Sequence, residues 1–473
     1  MPRPSSTRAP ATRDQADAYR FGLRRLEAAL VRGDPVPLHE QIRSQRRAAL
    51  VGVLLGMLGL GAVLGYAKIV PAKAWKDQAV VVGSPSGAMF VVAGDRLVPV
   101  ANLTAARLVA AAVRGPGAGD PARLAPVTIA DASLAEGAHT PTAAVPGAVA
   151  VRPDATVAAG WAVCDQVTDG GQVAATTVLG GVAAPVPDPD GDSVLLAGPD
   201  SATWLVTGGH RHRLDTSDGR LLAAFGLSRP VPRSASADLL SLIPEGPALA
   251  IPDVPRRGDP APAGLPGRVG DVLVTQPGGS PAQYYVVLAA GLQKTPKMIG
   301  ELLAESSPAR APRPVASGVL DAAAQVDLLR VNGWPADSLR VLEPADAPVT
   351  CWTWVDGGVP GGGTWWGAAL PRTGSPPVPL AQADGAGPRI DAVAVGGGGT
   401  VRATGPGRAP GAGPLWLVSA GGVAYGVADA ATAAALGVGP AAPAPEAALR
   451  LLPVGPLQDL AQAGHVVDVL PGG

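Results

Sequence analysis

Twenty consecutive uncharged and mostly apolar residues run from Ala48 to Ala67, between Arg47 and Lys68. No other feature constrains the fold as strongly. At about 1.5 Å per residue, a helix of that length spans about 30 Å, the thickness of a bilayer's hydrocarbon core. A cleavable signal starts close to the N-terminus and carries an apolar region of roughly 7 to 15 residues, whereas this run follows 47 others. Gly52, Gly56, Gly59, Gly61 and Gly65 weaken a helix in water. In lipid only internal hydrogen bonding satisfies the backbone, so small residues are tolerated and allow close helix packing. The stretch predicts one transmembrane helix over 48–67.

The flanks set the orientation. Residues 1–47 hold ten Arg against five Asp or Glu, with Arg43, Arg46 and Arg47 at the membrane edge. The positive-inside tendency places this short basic segment in the cytoplasm and exports the rest. Both cysteines, Cys164 and Cys351, then lie in an oxidising compartment, where a disulfide is allowed and a pair of separate buried thiols is the alternative. Aromatic residues are only 4% of the chain, while 63 Gly and 51 Pro are spread through it. Frequent turns between short apolar runs predict a β-rich α+β domain rather than a helical bundle. A net charge of −1 excludes a broadly basic nucleic-acid-binding face, so no nucleic acid is expected as a partner.

Within the cytoplasmic part, residues 12–33 carry a helix signal. Thr12 and Gln15 have capping-box spacing, Tyr19, Leu23, Leu26 and Leu30 form one apolar stripe, and Gly33 supplies the stop. A lone amphipathic helix has no core of its own. With Arg20, Arg24 and Arg25 beside the stripe, it is expected to dock on a partner protein or on the acidic membrane surface. Residues 1–11, rich in Pro, Ser, Thr and Arg, predict disorder.

Beyond the membrane one phrase returns four times, beginning at Met89, Thr203, Gln283 and Leu415. Each copy has an aromatic–aliphatic strand, a tight turn such as Gly94-Asp95 or Gly208-Gly209, a second strand and a short Ala/Leu-rich helix. One such unit cannot bury both faces, so the copies must pack together. Between them, segments from Gly160 and from Thr350 each carry a Cys, Trp and a Gly-Gly turn. The reading is a duplicated plan of repeat, core segment and repeat. The expected divisions are 1–11, a head 12–47, the span 48–67, a first exported half 68–251, a Pro/Arg-rich joint 252–268 and a second half 269–473.

Taken together, these segments resemble the EccB family of the actinobacterial type VII (ESX) secretion system. The head matches at Thr12, Arg13, Gln15, Tyr19, Arg20, Phe21, Arg24, Arg25, Ala29 and Leu30, and a second match runs from Leu97 to Leu108. The resemblance implies a single-pass inner-membrane subunit that links cytoplasmic and membrane components to a periplasmic assembly. Four exported repeats would surround a central β-barrel-like core with a distorted propeller-like outline, stapled by a Cys164–Cys351 disulfide. Implied partners are the EccC-type motor ATPase, the EccD and EccE membrane subunits and other copies of the chain.

Members of that family are often called ATPases, yet the sequence contains no G-x-x-x-x-G-K-[ST]. Its nearest Gly run, Gly396 to Gly399 before Thr400, lacks the phosphate-binding lysine and reads as a turn. His210-x-His212 has ligand-like spacing but no Cys or Glu beside it, so a solvated hairpin face is expected rather than a metal site. There is no G-x-S-x-G elbow. No catalytic, metal or cofactor residue is therefore assigned. Trp352, Trp354, Trp365 and Trp366 are expected to pack a core, with a sugar-binding groove as the alternative, and a cell-wall anchor that binds peptidoglycan through the hairpin-helix repeats is the rival to a scaffold.

Overall fold

The computed structural model describes all residues except 1–11, 34–37, 70–73, 116–119, 184–191, 228–230, 279, 309, 322, 332, 336–338, 357–361, 406, 407, 410 and 471–473. The expected disordered 1–11 lies outside the described residues. The chain divides into two compact units, Met1–Ala74 and Trp75–Gly473.

In the first unit, helix Arg13–Arg32 starts at the expected capping box. Gln15 N–H donates to Thr12 Oγ1 (3.4 Å) and Thr12 N–H donates to Gln15 Oε1 (3.1 Å). Gly33 ends it in the left-handed conformation (φ 69°), where a side chain would be strained. A second helix, Leu38–Ile69, carries the apolar run and starts well before residue 48. Its Ser44–Tyr66 segment, at mean hydropathy 2.3, is long and apolar enough to cross a membrane and is not buried by the protein.

The second unit is β-rich. Four sheets share one strand order, in which a three-stranded antiparallel meander is followed by a helix and by a short strand that returns parallel beside the first. In sheet I the meander is Val80–Ser84, Met89–Ala93 and Arg96–Val100, the helix Leu103–Arg114 and the return strand Val127–Ala130. Sheet II uses Asp192–Ala197, Thr203–Thr207, His210–Arg213, helix Gly219–Ala224 and Arg233–Ser234. Sheet III uses Val272–Thr275, Gln283–Leu288, Gly291–Thr295, helix Lys297–Glu305 and Arg313–Pro314. Sheet IV uses Gly399–Thr404, Leu415–Val418, Ala424–Gly426, helix Ala430–Leu436 and Ala442–Pro445. The hairpin-and-helix phrase read from sequence is thus the middle of a longer unit.

A fifth sheet, of six strands, holds the two core segments. Strands Gly160–Val167 and Val173–Gly180 pair with each other, and the first also pairs with Val349–Val355, which pairs with Gly363–Gly367. Ala392–Ala394 and Val378–Pro379 complete the far side. The sheet is open, which corrects the expectation of a barrel-like core. Closure needs the two outermost strands to hydrogen-bond. One of them has two residues, and its Pro379 lacks an N–H donor.

Cores join the sheets in pairs. Leu205, Leu221 and Phe225 of sheet II pack with Val286, Ile299 and Leu302 of sheet III. Val91, Leu108 and Val109 of sheet I pack with Leu417, Tyr425 and Leu436 of sheet IV. A third cluster centres on the six-stranded sheet, where Trp161, Trp352 and Trp366 meet Trp204, Leu239 and Leu449. Strand Arg340–Val341 pairs with Asp192–Ser193, so residues from both sides of 252–268 interleave.

Candidate functional site

The described residues of Trp75–Gly473 contain no His, Cys, Asp and Glu group able to hold a metal. Gly396, Gly397, Gly398 and Gly399 all have positive φ (59°, 90°, 81° and 157°) and form a turn into strand Gly399–Thr404. A Walker-type phosphate loop instead opens a helix, whose N-terminal N–H groups point at the anion. The chemistry the geometry supports lies in three places: an exposed helix, an exposed apolar rod and a stapled, charge-bearing core.

On helix Arg13–Arg32 the stripe faces solvent within its unit. Tyr19 is 70% exposed, Leu23 49%, Leu26 61% and Leu30 83%. Arg20 lies 3.9 Å from Asp17, and Arg24 and Arg25 also stand exposed on this helix. The capped helix thus leaves a continuous apolar stripe uncovered.

In the core, Cys164 and Cys351 sit directly opposite each other on neighbouring antiparallel strands and are bonded, with Cα atoms 4.0 Å apart. Both are fully buried. The next residue, Asp165, is buried too. One carboxylate oxygen accepts from Thr176 Oγ1 (2.9 Å) and Ser236 Oγ (2.8 Å), the other from Ser236 N–H (2.7 Å). Ser236 Oγ in turn accepts Leu239 N–H (3.1 Å) as the cap of helix Ala237–Leu242. Asp165 therefore ties the six-stranded sheet to a helix that follows sheet II. Asp391 completes the chain, accepting from the N–H groups of Thr176 (2.7 Å), Asp384 (2.9 Å) and Gly385 (2.7 Å).

Burial pushes the Asp165 carboxyl up to about 6, against the lowering effect of its hydrogen bonds. A raised folded pKa means that the native state holds the proton more tightly. Its contribution is fully present below the unfolded value near 3.8 and is lost as pH rises through about 6. The full amplitude is about 3 kcal/mol. Asp165→Asn keeps an acceptor for Ser236 N–H and a donor for the two hydroxyls. The difference in unfolding midpoint between variant and parent is expected to grow in the variant's favour from pH 4 to 6 and to stay flat above. A pH-independent difference would remove Asp165 as the titrating group.

Arg233, on the return strand of sheet II, is also buried. Its guanidinium donates to the carbonyls of Ala347 and Leu342 (2.7 Å for Leu342) and to Thr350 Oγ1 (3.4 Å). Burial lowers its pKa to about 10, opposed by Asp346, which leaves it charged at neutral pH.

His212 corrects an expectation, because it is buried, with Nδ1 2.9 Å from the Pro247 carbonyl oxygen and its pKa lowered by burial. Only His210 is on the solvated face. Trp352 and Trp366 are buried, Trp354 is partly buried against the same core, and Trp365 is partly buried against a separate cluster around Cys164 and Cys351. Sequence reasoning missed Asp165 and Arg233. Asp165 carried one signal, a charge inside the apolar run GWAVCDQV, and Arg233 carried none.

Comparison with known proteins agrees with this layout. The chain is 31% identical to the ESX-5 secretion system ATPase EccB5 of Mycobacterium tuberculosis, over 98% of this chain and 94% of that protein. It is 30% identical to the ESX-3 secretion system ATPase EccB3 of the same species, over 88% and 80%. A chain of the intact ESX-5 inner membrane complex superposes with TM-score 0.70 at 28% identity, covering 99% of this chain and 98% of that one. The EccB3 dimer of the ESX-3 core complex gives TM-score 0.68 at 26% identity, covering 82% and 99%. The family model described as type VII secretion system ESX-1, transport TM domain B, matches residues 8–472, and the chain accordingly belongs to the EccB family of type VII secretion systems.

Proposed function

We propose that the chain is a structural membrane subunit of a type VII (ESX) secretion apparatus, linking cytoplasmic and membrane components to a periplasmic assembly during protein export. The observation that carries this is the division of the chain by one apolar helix into a bare docking helix and a disulfide-stapled body. The head 12–47 lies in the cytoplasm, 48–67 crosses the inner membrane, and the halves 68–251 and 269–473, joined by 252–268, lie outside. The four sheets of shared strand order are copies of one repeat, set around the six-stranded sheet in a propeller-like outline. Through Tyr19, Leu23, Leu26 and Leu30, with Arg20, Arg24 and Arg25 alongside, the head docks on the EccC-type motor ATPase and the EccD and EccE subunits. The exported body meets other copies of itself.

The relatives named as ATPases raise a nucleotide hydrolase as the rival. The four-glycine turn before Gly399–Thr404 is not a Walker-type loop, because a strand follows it in place of a helix and no lysine accompanies it. An aromatic peptidoglycan-binding groove would need open faces on Trp352, Trp354, Trp365 and Trp366, whereas Trp352 and Trp366 are buried and Trp354 and Trp365 are only partly exposed.

The test is purification of the complex through this subunit, in the parent and in a Leu23→Asp/Leu26→Asp/Leu30→Asp variant. The parent is expected to bring down the motor ATPase and a multispanning subunit in comparable amounts. The variant should lose them at least tenfold, on the order of 1.4 kcal/mol or more, while resisting alkaline extraction from membranes. Retention by the variant removes the docking role of the stripe. Their absence from the parent removes the proposed function.

A further inference from the structure

The two pairs of sheets differ at corresponding places. In the pair I and IV, helices Leu103–Arg114 and Ala430–Leu436 are joined by Arg107 Nη1 donating to Leu436 O (3.1 Å). The crease between them is covered by the chain itself. Turn Pro121–Arg123 lies against both helices, with Ala122 beside Gly437. Helix Leu460–Ala463 also touches both, its Leu460 N–H donating to Thr432 Oγ1 (3.1 Å).

In the pair II and III, helices Gly219–Ala224 and Lys297–Glu305 flank an open groove of about 1130 Å³. The reason for the difference is legible in a short internal match. Pro244-Glu245-Gly246-Pro247 follows sheet II and Pro453-Val454-Gly455-Pro456 follows sheet IV. Both stretches pair with the third strand of their sheet and just past it, through Arg211↔Glu245 and Leu214↔Leu249 in one, Ala424↔Val454 and Val427↔Gln458 in the other. Aligning Leu249 with Gln458 sets Ile251-Pro252-Asp253-Val254 against Leu460-Ala461-Gln462-Ala463. Asp459 Oδ1 accepts Ala461 N–H (2.9 Å) to start the covering helix. At that position Pro252 has no N–H to donate, and residues 251–254 are not helical.

The open groove is also strongly polarised. Its rims carry Asp215 and Asp218 on one side and Glu301 and Glu305 on the other, against Arg220 and Lys297. Arg220 is already held by Asp218 (2.9 Å). Ala223 and Ala224, both exposed, supply small apolar surface between the rims. We propose that this groove receives a short, cationic, amphipathic helical segment of another protein, taking the place that Leu460–Ala463 fills in the other pair. The apolar side of the segment would lie on Ala223 and Ala224, and its Lys or Arg side chains would reach Glu301, Glu305 and Asp215. A negative, low-lying groove selects such a segment by charge and a matching stripe.

The probes are two labelled amphipathic peptides of roughly 14 residues, about four helical turns, with the same Leu/Ala stripe and either Lys or Glu at every polar position. Each is titrated against the full chain in detergent, with a micelle-only blank, and binding is read by fluorescence anisotropy. The Lys peptide is expected to bind, and Glu301→Lys/Glu305→Lys and, separately, Ala224→Trp should each weaken it at least tenfold. The Glu peptide should not bind above the blank. Equal binding of both peptides, no binding of either, or binding indifferent to both variants overturns the proposal. Light scattering on the same samples addresses the other occupant. A fall in particle mass in either variant would show that the groove holds a second copy of this chain, and would overturn it equally.

Discussion

Replacing Cys164 and Cys351 together by alanine is expected to lower the unfolding free energy of the Trp75–Gly473 unit by about 5 kcal/mol. The bonded residues are 187 apart in sequence, and closing a loop of that length removes about 5 kcal/mol of chain entropy from the unfolded state. The staple joins adjacent strands of the six-stranded sheet at positions that are fully buried. It is read as a shift of the denaturant midpoint in the full chain, and reduced parent protein should behave like the double variant. A loss below about 1 kcal/mol would mean that the unfolded state is already held compact by other means.

The second large effect is expected at Arg233. Its guanidinium satisfies the Leu342 and Ala347 carbonyls and the Thr350 hydroxyl at once. Arg233→Ala strands buried acceptors and opens a cavity, at a cost of about 3 to 5 kcal/mol. Arg233→Lys should recover only part of this, since an ammonium on a flexible stem does not reproduce the planar fork. The measurement is again the denaturant midpoint, with an unchanged slope. A Lys variant as stable as the parent would show that charge alone, without the fork, meets the requirement.

Much of the layout was legible in the sequence where one residue pattern meets one environment. Thr12, Gln15 and Gly33 mark both ends of their helix because caps act locally, and the apolar run was legible because bilayer thickness fixes its length. The middle of each sheet was legible from its aromatic–aliphatic strand and its tight turn. The return strands were not. Arg233–Ser234 and Arg313–Pro314 have two residues each, too few for a period, and Ala442–Pro445 reads as a breaker although it pairs along a sheet edge. His210-x-His212, with no further ligand beside it, reads as a solvated pair, but the stretch after helix Ala237–Leu242 folds back over His212 through Pro247. Asp165 and Arg233 are satisfied by partners distant in sequence, which no local pattern encodes.

The order of strands in the six-stranded sheet has a consequence for how the protein is made. Strand Gly160–Val167 pairs early with Val173–Gly180 but finds its second neighbour only when Val349–Val355 arrives, and Val173–Gly180 finds its second only with Ala392–Ala394. A polypeptide emerging gradually on the far side of a membrane must leave its early strands with open edges until nearly four hundred residues have passed. Such long-range pairing slows folding and exposes sticky edges meanwhile. For a body exported as proposed above, maturation would wait until Ala392–Ala394 had passed the membrane, and a holding factor on that side would relieve the delay.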